Sequence, residues 1–123
     1  MKKMLMAAAL LAAAGAGVIA AAQDVTKVAP DSYKVEFEND QIRIIRVKRG
    51  PHSKVPMHSH PDYVLMMITD IDQKVTTPDG KVAEAHRKAG EVAFSKGLTH
   101  AEESLSDKPL EVVLVELKTP AKQ

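Results

Sequence analysis

Between Tyr33 and Lys118 the chain is written in short runs, alternating or uniformly apolar, each ended by Gly, Pro, Asn or Asp, and no apolar stripe with a 3.6-residue period crosses them. Such a pattern admits strands and excludes a helical bundle. Tyr33 to Asn39 alternates, with Tyr33, Val35 and Phe37 on one face. Gln41 to Arg49 resumes the alternation but slips at Ile44-Ile45, where a bulge would keep Ile42, Ile44 and Val47 usable by a core. Tyr63 to Thr69 is continuously apolar, the signature of a strand covered on both faces. Gln73 to Thr77 and Lys81 to Lys88 flank Pro78-Asp79-Gly80 and read as a hairpin. Helix propensity argues back at Ala83 to Ala89, and the turn before it decides for strand. Glu91 to Phe94, Thr99 to Ser104 and Leu110 to Lys118 complete about eight or nine short antiparallel strands, an all-β sandwich or barrel.

The first 22 residues are of another kind. Lys2 and Lys3 precede an uncharged, alanine-rich run from Met4 to Ala22, and Ala20-Ala21-Ala22 offers the small residues that a signal peptidase accepts. A membrane anchor built mostly of Ala and Gly would insert weakly, so residues 1–22 read as a cleaved signal peptide and the protein as periplasmic or secreted, with no stable membrane anchor. Residues 23–32, with Pro30, form an extended lead-in, 33–118 a single domain, and 119–123 a tail. Loss of Lys2 and Lys3 leaves 15 basic against 16 acidic residues, a balance that calls for no nucleic acid. Arg43, Arg46, Lys48 and Arg49 lack interleaved aromatics and read as a solvated basic face or a subunit contact.

With no cysteine, thiolate ligation, disulfides and cysteine nucleophiles are excluded. Histidine remains, at positions 52, 58, 60, 86 and 100. His58-Ser59-His60 stands out, since residues two apart on a strand share a face and can share one ion. Two exposed histidines at a loop edge would carry the same spacing. His86, alternating with Glu84 and Lys88, is expected in solvent, and His52 in a loop. Met66 and Met67 are expected as core filler, and Met57 is a pocket candidate. Lys96 has two readings, an attractor for a substrate carboxylate or an exposed loop lysine.

The stretch Gly50 to Asp70, with His58-x-His60-Pro61, followed by Gly90-Glu91-Val92-Ala93-Phe94-Ser95-Lys96-Gly97-Leu98-Thr99-His100, resembles the two motifs of the cupin superfamily. With Val113-Leu114-Val115-Glu116-Leu117-Lys118 it is most similar to small single-domain cupins, including the type associated with β-alanine degradation. The resemblance spans Val35 to Lys118 and implies a jelly-roll barrel with its ligands inside. The departures are specific. Gly50 stands two residues farther from His58 than is usual, and Val64 and Leu65 occupy the place of the family glutamate. In the second motif Lys96 replaces a proline, His100 comes one residue early, and Ser104 replaces an asparagine.

The resemblance therefore implies a three-histidine metal site, His58, His60 and His100, for a divalent transition metal (Fe, Zn, Mn, Ni or Cu), with positions left open for water or substrate. Asp62 and Tyr63 are the nearby oxygen donors and candidate acid or base groups. A metal-dependent enzyme, dioxygenase-like, is one function that follows. A non-catalytic module for a small, anionic ligand and a structural or storage cupin without metal are the others. Cupins of this size pair through edge strands, so the resemblance also implies a homodimer.

Overall fold

A computed structural model describes residues 23–118, so the signal peptide expected over 1–22 and the tail 119–123 lie outside the described residues. No helix among the described residues is long and apolar enough to cross a membrane. The chain forms α1 (Val25–Val28), then β1 (Tyr33–Glu38), β2 (Ile42–Arg49), β3 (Lys54–His60), β4 (Tyr63–Met67), β5 (Ile71–Thr76), β6 (Val82–Arg87), β7 (Val92–Ser95), β8 (Leu98–Ser104) and β9 (Leu110–Leu117). A five-stranded sheet in the order β1-β2-β9-β4-β7 faces a four-stranded sheet in the order β3-β8-β5-β6. Every pairing between them and their neighbours is antiparallel. The core lies between the sheets and includes Tyr33, Ile45, Val47, Val55, Met67, Ile71, Val112 and Leu114. Strand β6 covers Ala83 to Arg87 of the segment where helix propensity argued back, as the hairpin required, and Lys88 and Ala89 lie beyond its end: Gly80 takes φ +87° in the turn, a conformation that a side chain would strain.

Three expectations are corrected. The lead-in is not wholly extended, because Asp24 caps the single turn α1 by accepting the Thr26 N–H at 2.8 Å, and Pro30 prevents further helix. Val25 on that turn is fully buried. Next, β2 carries no bulge. It pairs with β9 in unbroken register from Ile42↔Leu117 to Arg49↔Leu110, and the extra residue lies opposite, in β1 between Val35 and Phe37. Ile45 and Val47 therefore enter the core, while Ile42 and Ile44 turn outward. Finally, the four basic residues of β2 do not share a face. Arg46 and Lys48 point out, whereas Arg43 and Arg49 follow the buried side and meet carboxylates there.

A second bulge, in β3 between Val55 and His58, decides what the barrel holds. Val55 faces inward, so plain alternation would send Met57 and Ser59 in as well. One extra residue inverts that parity: Met57 is exposed, and His58 and His60 are buried. Pro56, which has no N–H to leave unpaired, occupies the bulge. The strand then turns at Pro61-Asp62 against the β7–β8 connection, where Gly97 packs so tightly that a β-carbon would sit 2.9 Å from the His60 carbonyl oxygen and 3.1 Å from the Pro61 carbonyl carbon. Since both obstacles are backbone, Gly97→Ala should cost about 1–3 kcal/mol, read as a lower urea midpoint, and an unchanged midpoint would contradict this packing.

Candidate metal centre

Two strands carry the three histidines. β3 contributes His58 and His60, β8 contributes His100, and the register sets His58 directly opposite His100. All three side chains are buried. Ring centroids lie 4.8 Å apart for His58–His60 and His58–His100 and 5.4 Å for His60–His100. One ring nitrogen from each lies within 4.8 Å of the other two, close enough that the three could hold one ion after small side-chain shifts.

Hydrogen bonding sets which nitrogen is free. The Pro56 carbonyl, exposed by the bulge, accepts from His58 Nδ1 at 2.7 Å, which puts the proton there and leaves the Nε2 lone pair bare. His60 Nδ1 lies 3.1 Å from Glu116 Oε2 and donates to it. Arg43 holds the other oxygen of Glu116, with Nε at 3.0 Å and Nη2 at 2.7 Å, and Nη2 also reaches Asp24 at 2.6 Å. Such an Asp–Arg–Glu–His chain is the outer support that orients a metal-binding imidazole. Nε2 of His58 and Nε2 of His100 are buried without a hydrogen-bond partner. Buried polar atoms are otherwise almost always paired, so two unpartnered imidazole nitrogens within one cluster of three histidines fit a cation.

Burial first of all lowers the pKa of His58 and carries that of His100 from 6.5 to about 4, so both rings are neutral near pH 7, as metal donors must be.

Beside the histidines is a cavity of about 210 Å³, lined by His60, His100, Tyr33, Tyr63, Glu102 and Arg49 among apolar residues such as Leu65, Met67 and Leu98. Glu102 shares the inward face of β8 with His100, and its Oε2 lies 3.4 Å from His100 Nε2 without hydrogen-bond alignment. Tyr33 donates to it at 3.0 Å, Arg49 at 3.2 Å and Gln73 at 3.2 Å. Burial pushes its pKa up, but His100, Arg49 and the Tyr33 hydroxyl more than offset this, and the carboxylate is held below its ordinary range. Burial and the Glu102 charge raise the Tyr33 pKa well above 10.0, and burial raises that of Tyr63, so both remain phenols.

The expected residues sort as follows. His58, His60 and His100 come together. Tyr63 joins them, its ring 4.8 Å from that of His60. Asp62 does not: its carboxylate faces the surface and accepts from the Gly97 N–H at 2.7 Å and Lys96 Nζ at 3.2 Å. Lys96 is thereby an exposed loop lysine. Met57 is on the surface, Met67 is core, and Met66 lies on the outer face of β4. His86 is exposed, and His52 sits in a surface turn hydrogen-bonded to Asp107. Leu65, in the place of the family glutamate, lines the cavity as an apolar wall. The sequence reading did not place Glu102, Glu116 or Arg49 at the site. The signal was the spacing of two in His100-x-Glu102, which places Glu102 on the face of a candidate ligand, and in Leu114-x-Glu116, which places Glu116 on the face of an apolar residue.

Solved structures with the same architecture include a cupin domain from Bordetella pertussis Tohama I, at 22% identity and TM-score 0.66, with 71% of this chain and 92% of that one covered. A protein with a double-stranded β-helix domain from Klebsiella pneumoniae subsp. pneumoniae MGH 78578 is 20% identical, with TM-score 0.57 and coverage of 80% and 90%. A cupin family protein with a double-stranded β-helix fold from Methanocaldococcus jannaschii is 14% identical, with TM-score 0.55 and coverage of 70% and 78%. Neither a family model nor a curated protein matches the sequence. The chain has the cupin fold, and it holds a histidine cluster that could bind a metal.

Neutral buried imidazoles also set a pH dependence. The unfolded chain takes up protons near pH 6.5, whereas folded His100 resists until about 4, so the metal-free protein is fully stabilised above 6.5 and loses stability as pH falls toward 4. For His100 alone the loss at about pH 5.5 is roughly 1 kcal/mol. Urea unfolding in chelator at pH 7.5 and 5.5 should show the midpoint falling, and a flat or rising midpoint would contradict neutral histidines.

Proposed function

We propose that this protein is an exported small cupin that binds one divalent transition metal through His58, His60 and His100 and acts on a small molecule held in the adjoining cavity. The observation that carries the reading is the pair of buried, unpartnered Nε2 atoms on His58 and His100, residues that the β3–β8 register sets opposite each other. Export rests on Lys2, Lys3 and the uncharged run ending at Ala22. When bound, the ion supplies Lewis acidity and open coordination positions, and in its Fe(II) form dioxygen chemistry.

The chain's own residues define the ligand. Leu65, Met67, Ile71, Val75 and Leu98 form an apolar wall that excludes water. Arg87 lines the same cavity, with its guanidinium 3.9 Å from Glu91, too far for a hydrogen bond. Three neutral ligands would leave the ion's charge unbalanced. Both features favour a compact, mostly apolar molecule with an anionic end. Tyr63 presents a phenol beside His60 and can donate to such a ligand.

Protein purified without chelator should carry close to one transition metal per chain by elemental analysis, and His100→Ala should lose it while keeping its β circular-dichroism spectrum. Metal retained by that variant rejects the assignment. The non-catalytic reading is favoured by one feature: Glu102 is already tied to Arg49, Tyr33 and Gln73, so it is not free to act as a base. Oxygen uptake separates the two. The Fe(II) form should consume dioxygen with a small thiol, amino acid or diketone, and a screen showing none assigns the cavity to binding alone.

A further inference from the structure

Glu102 stands two residues beyond His100 on β8, and its carboxylate side chain is 10% exposed. Its two oxygens are unequally engaged. Oε1 accepts from the Tyr33 hydroxyl at 3.0 Å and from Arg49 Nη1 at 3.2 Å. Oε2 accepts a single hydrogen bond among the described residues, from Gln73 Nε2 at 3.2 Å, and so keeps a lone pair free. This oxygen lies 3.4 Å from Nε2 of His100, an atom with no hydrogen-bond partner.

A hydrogen bond does not account for that approach. A protonated Nε2 would direct its hydrogen away from Oε2, and an unprotonated Nε2 would set a lone pair beside a carboxylate oxygen. Two donors that share an ion behave otherwise, because each points at the ion and not at the other. With bonds of about 2.1 Å, two ligands of one ion lie about 3.0 Å apart at a right angle and about 3.4 Å apart at the tetrahedral angle. Each is then turned roughly 35–45° from the line that joins them. The His100–Glu102 approach has that length and lies off the hydrogen-bond axis.

We propose that Glu102, through Oε2, is the fourth ligand of the ion held by His58, His60 and His100. The assignment rests on the metal-binding reading above and adds an acid to it. The acid comes from β8, whereas β4 carries Val64 and Leu65 in the place of the family glutamate and presents Leu65 to the cavity as an apolar wall. Bonding through Oε2 leaves both contacts of Oε1 intact. Tyr33 on β1, Arg49 on β2 and Gln73 on β5 then hold the ligand from three strands, the outer support that a metal-binding carboxylate requires. One negative charge offsets half the charge of a divalent ion, so a ligand with an anionic end is still favoured. An oxygen donor also turns the site from Cu(I) toward Zn(II), Mn(II) and Fe(II).

Zinc affinity, measured by competition with a chromophoric chelator, tests the assignment on the wild type and three variants. Glu102→Gln keeps the size of the side chain and replaces the carboxylate with an amide. Glu102→Asp keeps a charge for Arg49 while withdrawing the oxygens by one methylene, and it stands in should the amide fail to fold. Tyr33→Phe disturbs the same network without removing the ligand. Glu102→Gln should raise the Zn(II) Kd by more than about 100-fold, whereas Tyr33→Phe should stay within the roughly 10–100-fold that an outer partner is worth. Infrared difference spectra give a second readout that a structural role would not move. Loading the wild type with Zn(II) should shift one carboxylate stretch to its metal-bound frequency, a shift retained by Tyr33→Phe and missing from both Glu102 variants. An affinity loss in Glu102→Gln no larger than that in Tyr33→Phe, or a carboxylate shift that survives in the Glu102 variants, would overturn the proposal and leave the three-histidine site standing. A wild type that takes up no Zn(II), Mn(II) or Fe(II) would overturn both.

Discussion

Burying imidazole rings in a barrel is tolerable only where their N–H groups find acceptors, and the architecture around His58 and His60 meets that demand. The β3 bulge does so for His58, since it both turns the ring inward and leaves the Pro56 carbonyl free to take the Nδ1 proton. For His60 the acceptor is Glu116, which Arg43 holds from the neighbouring strand of the same sheet, Arg43 being held in turn by Asp24 at the cap of α1. The one-turn helix at the head of the domain thus contributes to the site through a chain of charges.

A second buried network, Tyr33–Glu102–Arg49–Gln73, closes the cavity floor beside His100. Buried ion pairs of this kind add little net stability over apolar packing, because desolvation consumes much of the attraction. Their value here is positional. Arg49 anchors Glu102 from the five-stranded sheet while Gln73 reaches it from the four-stranded one, so the network spans the barrel and fixes the sheets' relative placement at the level of the histidines.

Much of the fold was legible in the chain because strand period and turn residues are local signals. Tyr33–Glu38, Ile42–Arg49, Tyr63–Met67 and Leu110–Leu117 could be read from alternation or apolar runs, and His58-x-His60 from its spacing. What could not be read was parity. A bulge moves one residue out of register without leaving a mark on composition, so the slip at Ile44-Ile45 pointed to β2 when the extra residue lay across the ladder in β1. The same blindness grouped Arg43 and Arg49 with Arg46 and Lys48 and concealed the buried partners of the first two. Asp62 was singled out for being near His60 in sequence, but the turn it occupies points to the surface, whereas Glu102 and Glu116 arrive from strands far along the chain.

The central claim is that imidazoles from β3 and β8 meet on a single ion. X-ray absorption at the metal edge of the loaded protein measures this directly. The account predicts a first shell of nitrogen and oxygen at about 2.0–2.2 Å containing three imidazoles, falling to two or fewer in His100→Ala. A shell with no more than one imidazole, or one unchanged by that substitution, would contradict it.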